Sequence, residues 1–433
     1  MDGRKIIHDS VHGGIIVDEP FLSFLHRPEM QRLHNVRQLG LAYLVFPGAN
    51  HTRFEHSLGV FHIARMMGEA LEIEEHESRE LKAAALLHDI CHSPFSHTLE
   101  DIVRETSGMD HMQLASSIIR GEPLVNENSP FSSEHSIAED LEKEDIDPDT
   151  VASIVSEPIR LDPQQSLLLD LGRQTYFGAK QYLNQVIHGP VDADQIDYLL
   201  RDAHYTGVAH GIIDMDRIMN TIAVHNGSLV VKKGGAAAVE GMMVARALMY
   251  SSIYFHKTVR IAEMMLAKAV ECASPSTLEG LYAKTEAELC NQLLHQDGAP
   301  RKLITRILRR ELYKSAVYIS SSDIDDNIME SLLALTDYHK RIETEKEVAD
   351  RAGIRREEVL IDIPSRTSLL FMARVGKTDI PILEDGKIRP ISKYSPLAKA
   401  LQNRSIHDWS LIVSCPPESR EKVARAVEKV VLG

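Results

Sequence analysis

The chain of 433 residues lacks the features that mark several protein classes. Its four cysteines are far apart and form no Cys-x-x-Cys pair, so neither a disulfide framework nor a cysteine zinc site is indicated. No apolar run approaches the roughly 18 residues that a membrane span needs. The charged start at residues 1–5 contains no apolar signal core. We therefore expect a soluble, cytoplasmic protein with no membrane partner.

Positive charge is also scarce. Lysine and arginine total 48 against 63 aspartates and glutamates, which gives a formal net charge of −15. A chain of this charge is a poor general binder of nucleic acid, because the phosphate backbone repels it. We expect no strong nucleic-acid binding, although a local basic pocket is compatible with the composition.

Apolar patterns divide the chain into two parts. Residues 5–17 alternate and contain turn glycines, which predicts a small hairpin. Helical spacing dominates from residue 53 to about residue 310 and includes one long core helix over 239–273. Strand-like runs follow. We predict a mostly α fold, with an all-helical core in residues 1–310 and a smaller C-terminal α+β portion in residues 311–433.

The most informative stretch follows an apolar run that ends at Leu87. Ten positions there hold four side chains of the metal-ligand type: His88, Asp89, His92 and His97. The spacing predicts a helix over 80–92 that Pro94 ends, with His88 and His92 on one face. Because a buried carboxylate is normally paired or bound to a metal, this stretch indicates a functional site.

Two more residues are candidates for the same site. His56 lies at a predicted helix start, where a capping or core histidine is the alternative. Asp194 shares a helical face with Tyr198 and Asp202, where a solvated charged face is the alternative. Two histidines and two aspartates would form a mixed nitrogen and oxygen site, which suits several divalent metals without selecting among them.

Cations for binding a phosphate are also available. Arg53, Arg246 and Lys257 are the candidates, since the planar guanidinium of arginine donates two parallel hydrogen bonds to a phosphate. For any one of them alone, a surface salt bridge is the competing interpretation.

Combined motifs in a fixed order give these residues a family context. The segments are R-F-E-H-S-L-G at 53–59, H-D-I-C-H-S-P-F-S-H at 88–97 and D-A-D-Q-I-D-Y-L-L-R-D at 192–202. Together they resemble the HD-domain phosphohydrolases, and among these the deoxynucleoside triphosphate triphosphohydrolases of the dGTPase and SAM-and-HD-domain type. The resemblance runs from Ile7 to about Arg260, and more weakly to Leu401. It implies an HD core at about residues 50–210 and a homo-oligomer, dimeric or tetrameric.

The resemblance also implies the reaction and its residues. Members of this branch split a deoxynucleoside triphosphate (dNTP) into deoxynucleoside and inorganic triphosphate, by water attack on the α-phosphate. The implied ligands of a divalent ion (Mn, Fe, Ni, Co, Zn or Mg) are His56, His88, Asp89 and Asp194. The implied catalytic acid and base group comprises His92, Glu100 and His111, with His97 beside the leaving oxygen.

The implied substrate contacts fall into three groups. Gln38 and Asp202 would hold the sugar 3′-hydroxyl, while Tyr198 and Tyr254 would pack on the sugar. The triphosphate would meet Arg53, Arg246 and Lys257.

One residue departs from the family pattern. Gln195 stands where the branch usually has lysine or arginine, which removes one positive charge from the phosphate pocket. Two other functions therefore stay open at this point. The chain could be an HD phosphatase or phosphodiesterase that acts on another nucleotide or phosphate ester, or a catalytically silent module that binds nucleotide.

Overall fold

The computed structural model describes residues 3–124, 129–156, 177–320, 332–363, 380–404 and 410–432. Within them the first half of the chain is helical, as far as residue 206. Its helices are α1 (Phe21–Leu25), α2 (Pro28–Arg32), α3 (Arg53–Ala70), α4 (Glu75–Leu87), α5 (Glu100–Ser107), α6 (His111–Ile119), α7 (Ile137–Lys143), α8 (Pro148–Val155), α9 (Phe177–His188) and α10 (Ala193–Thr206).

The second half mixes helices with short strands. Its helices are α11 (Met215–Met219), α12 (Ala236–Met249), α13 (Lys257–Glu271), α14 (Pro275–Leu278), α15 (Glu286–Leu294), α16 (Ala299–Leu308), α17 (Tyr338–Ala352), α18 (Pro396–Arg404) and α19 (Arg420–Val430). The predicted mostly α fold is confirmed. No helix of the described ranges combines the length and apolarity that crossing a membrane requires.

Strands of the described residues form three small sheets. The predicted N-terminal hairpin is present as β1 (Lys5–Asp9) and β2 (Gly13–Val17), with Ile6 opposite Ile16. The other strands are β3 (Ile222–His225), β4 (Ser228–Lys232), β5 (Lys314–Ser320), β6 (Leu360–Asp362), β7 (Pro381–Glu384), β8 (Lys387–Pro390) and β9 (Ser410–Cys415). Their orders are β3-β4-β7-β8 and β5-β9-β6.

Two large apolar cores and a small cluster of Ala42, Ala49 and Val259 hold the described parts together. The larger core lies among the helices around α3, α4 and α10, and includes Ile382 of β7, because β7 pairs in parallel with β4. The smaller core lies between the β5-β9-β6 sheet and the helices α17 and α19. The division of the chain near residue 310 stays a prediction.

Two helix predictions were wrong in ways that matter for the site. The helix predicted over 80–92 ends at Leu87, so His88 and His92 do not lie one helical turn apart on a shared face. The helix predicted over 239–273 is interrupted after α12 by a π-helical turn at Tyr250–Tyr254 and then restarts as α13. Such π-turns often accompany functional positions, since they re-aim side chains within a helix.

Candidate active site

Three helices bring the first set of predicted ligands together. His56 lies in the first turn of α3, His88 follows the last residue of α4, and Asp194 lies in the first turn of α10. A capping box between Thr52 and Glu55 fixes the start of α3, which positions His56. One ligand atom from each of His56, His88 and Asp194 lies within 4.8 Å of the other two.

Hydrogen bonds outside this cluster orient both histidines. Nδ1 of His56 lies 2.7 Å from Oδ2 of Asp197, and Nδ1 of His88 lies 2.9 Å from the carbonyl oxygen of Ala85. Each Nε2 is buried and has no hydrogen-bond partner among the described residues. An Nδ1–H that donates outwards leaves the Nε2 lone pair for a metal. These residues therefore fit a divalent ion.

The two predicted carboxylate ligands differ in their surroundings. Oδ1 of Asp194 lies 3.0 Å from Nε2 of His56, although the two groups are not aligned as a hydrogen bond. Asp89 lies at the edge of the cluster, with its oxygens 3.4 Å from Nε2 of His88 and 3.7 Å from Nε2 of His56. Arg53 also donates to Oδ2 of Asp89. Burial raises the pKa of Asp89, but Arg53, His88 and His92 together outweigh burial and hold that pKa well below 3.8.

The predicted catalytic residues form a second group next to the first. Glu100 accepts hydrogen bonds from Nδ1 of His111, at 2.7 Å, and from Nδ1 of His97, at 3.1 Å. The rings of His92 and His111 stack with their centroids 4.4 Å apart. Nε2 of His92 lies 3.1 Å from Oδ1 of Asp89. Asp89 thus joins the two groups. A small cleft borders this second group and is lined by Cys91, His92, Ser93, Ser96, Glu100, Val103 and His111.

Charge is distributed unevenly in this second group. Burial raises the pKa of Glu100, but His111 and His97 outweigh burial and hold that pKa well below 4.5. Burial lowers the pKa of His111, but the Glu100 carboxylate raises it above 6.5. Burial and Arg53 together hold the pKa of His92 well below 6.5. The surroundings therefore favour the charged form of His111 and the neutral form of its neighbour His92.

A tight turn at Phe95 and Ser96 places His97 next to Glu100 and His111. Phe95 and Ser96 have φ values of 60° and 53°, the left-handed region that non-glycine residues rarely occupy. Residues held in such conformations cluster at functional sites. The hydroxyl of Ser96 accepts from Nε of Arg53 and donates to the carbonyl of Arg37, which holds the turn in place.

The predicted sugar contacts surround Asp202. Its Oδ2 accepts from the hydroxyl of Tyr254 at 2.6 Å, and its Oδ1 lies 2.8 Å from Nε2 of His51. The rings of Tyr198 and Tyr254 meet edge to face at 6.2 Å. The hydroxyl of Tyr198 and Oε1 of Gln38 are buried without a hydrogen-bond partner among the described residues, which leaves both available to a ligand.

The predicted phosphate contacts are placed unequally. Arg246 is buried and donates to Oε1 of Gln195, whose amide donates in turn to Oδ2 of Asp192 at 2.7 Å. Lys257 is exposed, with its ammonium 4.9 Å above the ring of Tyr318. Arg53 keeps Nη2 buried and without a hydrogen-bond partner in the described structure.

Sequence reasoning missed several residues that hold the site. Asp197 orients His56, and its spacing of three from Asp194 on one helix could have indicated this role. His51 and His12, which contact Asp202 and Asp197, lie in segments without helical periodicity, so no local signal pointed to them.

Two protein-family models match the chain. A model described as the HD domain matches residues 53–201, and one described as the HD associated region matches residues 213–432, just over half of the chain. The chain belongs to the HD-domain phosphohydrolase family. All three residues of the His56–His88–Asp194 cluster lie inside the matched HD domain.

Relatives and solved structures agree with this assignment. An uncharacterised protein of Methanocaldococcus jannaschii is 32% identical over 421 residues, which cover 96% of this HD-domain chain and 80% of the relative. The deoxynucleoside triphosphate triphosphohydrolase SAMHD1 of Danio rerio is 26% identical and covers 83% of this chain, which spans 62% of that enzyme. The crystal structure of a phosphohydrolase from Bacteroides thetaiotaomicron matches with a TM-score of 0.68 at 25% identity, over 95% of this chain and 99% of that one.

Proposed function

We propose that this HD-domain protein hydrolyses deoxynucleoside triphosphates to deoxynucleoside and inorganic triphosphate. The main support is the position of Asp89, which lies between the buried His56–His88–Asp194 cluster and the Glu100–His111–His92 group. A site for a cation next to a paired acid and base is what hydrolysis of a phosphate ester requires.

Four residues would hold the ion: His56, His88, Asp194 and, at the edge, Asp89. A bound divalent ion would polarise the α-phosphate and neutralise charge that develops on it. The two bare Nε2 atoms are the observation that supports this assignment.

The neighbouring histidines would act as the proton donors and acceptors of the reaction. Glu100 holds His111 charged, so His111 can donate a hydrogen bond to a phosphate oxygen. His92 is held neutral and can accept a proton from the attacking water. His97, which also binds Glu100, is the candidate donor to the leaving 5′ oxygen.

The aromatic pocket would select the sugar. Asp202 keeps acceptor capacity for a 3′-hydroxyl after binding Tyr254 and His51, because each carboxylate oxygen has two lone pairs. The rings of Tyr198 and Tyr254 would pack on the sugar, and Arg246 and Arg53 would meet the phosphates. The similarity to the Danio rerio deoxynucleoside triphosphate triphosphohydrolase supports a nucleotide substrate.

A second function is favoured by the phosphate contacts. Arg246 is hydrogen-bonded to Gln195, and Lys257 lies over Tyr318, so few cations face the cluster directly. This arrangement favours a substrate with fewer charges than a triphosphate. An HD phosphatase or phosphodiesterase acting on another phosphate ester is the alternative.

One product analysis separates these functions. Protein loaded in turn with Mn, Fe, Co, Ni, Zn or Mg is incubated with each dNTP and with simple phosphate diesters, and the products are resolved by chromatography. Triphosphate plus deoxynucleoside supports the proposal. Monophosphate, pyrophosphate or turnover of the diesters alone supports the alternative. Nucleotide binding without any turnover would contradict both and indicate a silent binding module.

We also propose a homo-oligomer, a dimer or tetramer, on the basis of the family resemblance alone. Light scattering coupled to gel filtration measures the mass directly. A monomer at micromolar concentration would contradict this proposal.

A further inference from the structure

The turn of the N-terminal hairpin is linked to the His56–His88–Asp194 cluster through the carboxylate of Asp197. Oδ1 of Asp9 accepts from the backbone N–H groups of Val11 and His12, at 2.9 and 2.8 Å, and so fixes the turn between β1 and β2. Nε2 of His12 then lies 2.6 Å from Oδ1 of Asp197. The side chain of His12 is 6% exposed and that of Asp197 is fully buried.

Asp197 is shared between the hairpin and the cluster. Its Oδ2 lies 2.7 Å from Nδ1 of His56, and Arg201 donates to both of its oxygens, at 2.9 and 3.0 Å. Arg201 also donates to Oδ2 of Asp9 at 2.8 Å. The contacts Asp9–Arg201–Asp197–His12 therefore close into a ring through the backbone of the hairpin turn.

Helix packing leaves the carboxylate little freedom to move elsewhere. Gly59 of α3 faces Asp197 so closely that a Cβ at this position would lie 1.9 Å from Oδ1. Oδ1 of Asp197 thus lies between the backbone of α3 and the ring of His12. If His12 were removed, Oδ1 would keep the hydrogen bond from Arg201 but lose its 2.6 Å contact with the imidazole, so the carboxylate would be held less firmly against Nδ1 of His56.

We propose that His12 is a positioning residue of the metal centre, which holds Asp197 so that Nε2 of His56 is aimed at the ion. The N-terminal hairpin is then part of the metal site, although it contributes no ligand. This inference rests on the metal centre of the proposed function and is independent of the substrate. Residues that orient a metal-binding histidine typically change metal affinity 10- to 100-fold when they are replaced.

The test measures cobalt binding without nucleotide. Protein stripped with a chelator is titrated with Co²⁺, and binding is followed by visible absorption and by competition with a chelator of known affinity. We expect His12→Ala to weaken binding by about 10-fold or more. His12→Gln should restore most of the affinity, because its amide can reach Asp197 as Nε2 does. His12→Asn is too short to do so and should bind as weakly as the alanine variant.

Two controls separate positioning from general stability. His8 is an exposed histidine of the same hairpin, so His8→Ala should leave cobalt affinity unchanged. Asp197→Asn should weaken binding, and adding His12→Ala to it should cost nothing more, because both act through one carboxylate. Should His12→Ala fail to fold, the comparison of His12→Asn with His12→Gln answers the same question.

Three results would overturn the inference. Folded His12→Ala with the cobalt affinity of the unmodified protein would show that the hairpin contact does not act on the site. Losses that multiply in the double variant would show that His12 does not act through Asp197. An unmodified protein that binds no cobalt would remove the metal centre itself, whereas a wrong substrate assignment would leave every one of these measurements unchanged.

Discussion

The metal cluster and the acid–base group lie on two sides of Asp89 and are built differently. His56 and His88 are buried, at 1% and 5% exposure, and each is held by a residue outside the cluster. In the second group the side chains of His111 and His97 are 21% and 66% exposed, and both bind Glu100 within the group.

The difference indicates how each half works. The His56–His88–Asp194 cluster is oriented by hydrogen bonds from outside it. In the acid–base group His92 is buried, but His111, Glu100 and His97 reach solvent and bind one another, which suits residues that exchange protons with a substrate. Substitutions in the first half should therefore change metal binding, and substitutions in the second half should change the rate alone.

The largest effect is expected from Asp194→Ala. The change removes the only carboxylate that belongs to the three-residue cluster among the described residues. We expect the purified variant to retain no metal and to lose all measurable turnover, with metal content measured by mass spectrometry. Asp216→Ala, at an exposed carboxylate of α11, is the matched control and should keep both. A fully active, metal-containing Asp194→Ala would contradict the ligand assignment.

Glu100→Gln should separate the two halves. The amide keeps the shape of the side chain but removes the charge that holds His111 protonated. We expect kcat to fall about 10²- to 10⁴-fold. Metal content should match that of the unmodified protein, because Glu100 contacts no member of the cluster. A variant that loses its metal as well would show that the halves are not independent.

The sequence predicts the members of the metal cluster better than the contacts that hold them. His88 and Asp194 belong to dense local motifs, so residues a few positions apart in the chain already indicated a site. The structure brings them together with His56 because α3, α4 and α10 share one apolar core. Asp197, which orients His56, lies in the same motif as Asp194, but its contact with the hairpin at His12 joins residues 185 positions apart. A contact between residues so far apart in the chain leaves no periodic pattern in the sequence.

Two hairpins were missed. The β3–β4 and β7–β8 hairpins were not predicted, although the β1–β2 hairpin, with strands of similar length, was. Their turns did carry a signal. Asn226-Gly227 and Asp385-Gly386 all have positive φ, as two-residue hairpin turns require. One of the strand-like runs of the C-terminal portion, at residues 368–373, lies outside the described residues.

Helix ends were predicted least well, and for a physical reason. The apolar run before His88 predicted a helix as far as His92, but Asp89 is held by Arg53 and the chain turns there instead. Arg32 stabilises this turn, because its buried guanidinium donates to the carbonyls of Ile90 and His92. Tertiary contacts of this kind override local helix propensity.

Arg246→Ala tests a residue that is buried like the metal ligands but touches none of them. Losing a charged hydrogen-bond donor to phosphate costs about 1.5–3 kcal/mol, or roughly 10- to 150-fold in kcat/KM. We expect this loss for a triphosphate and a loss several-fold smaller for a model diester. Arg217→Ala, at an exposed arginine of α11, is the control. Equal losses for both substrates would contradict a triphosphate contact.

The smallest effect concerns stability and pH. The pKa of Glu100 lies well below 4.5 in the folded protein, so its contribution is present above about pH 4.5 and is lost as the pH falls. The pKa of His111 lies above 6.5, so its contribution is present below about pH 6.5 and is lost as the pH rises through the folded pKa. The stabilising contributions of Glu100 and His111 are therefore both fully present only between about pH 4.5 and pH 6.5. The free energy of unfolding of the metal-free protein should therefore exceed that of Glu100→Gln by about 1 kcal/mol near pH 5.5 and by less near pH 8.5. Denaturant titrations at both pH values measure this difference, and a difference independent of pH would show that the pair is not charged in the folded state.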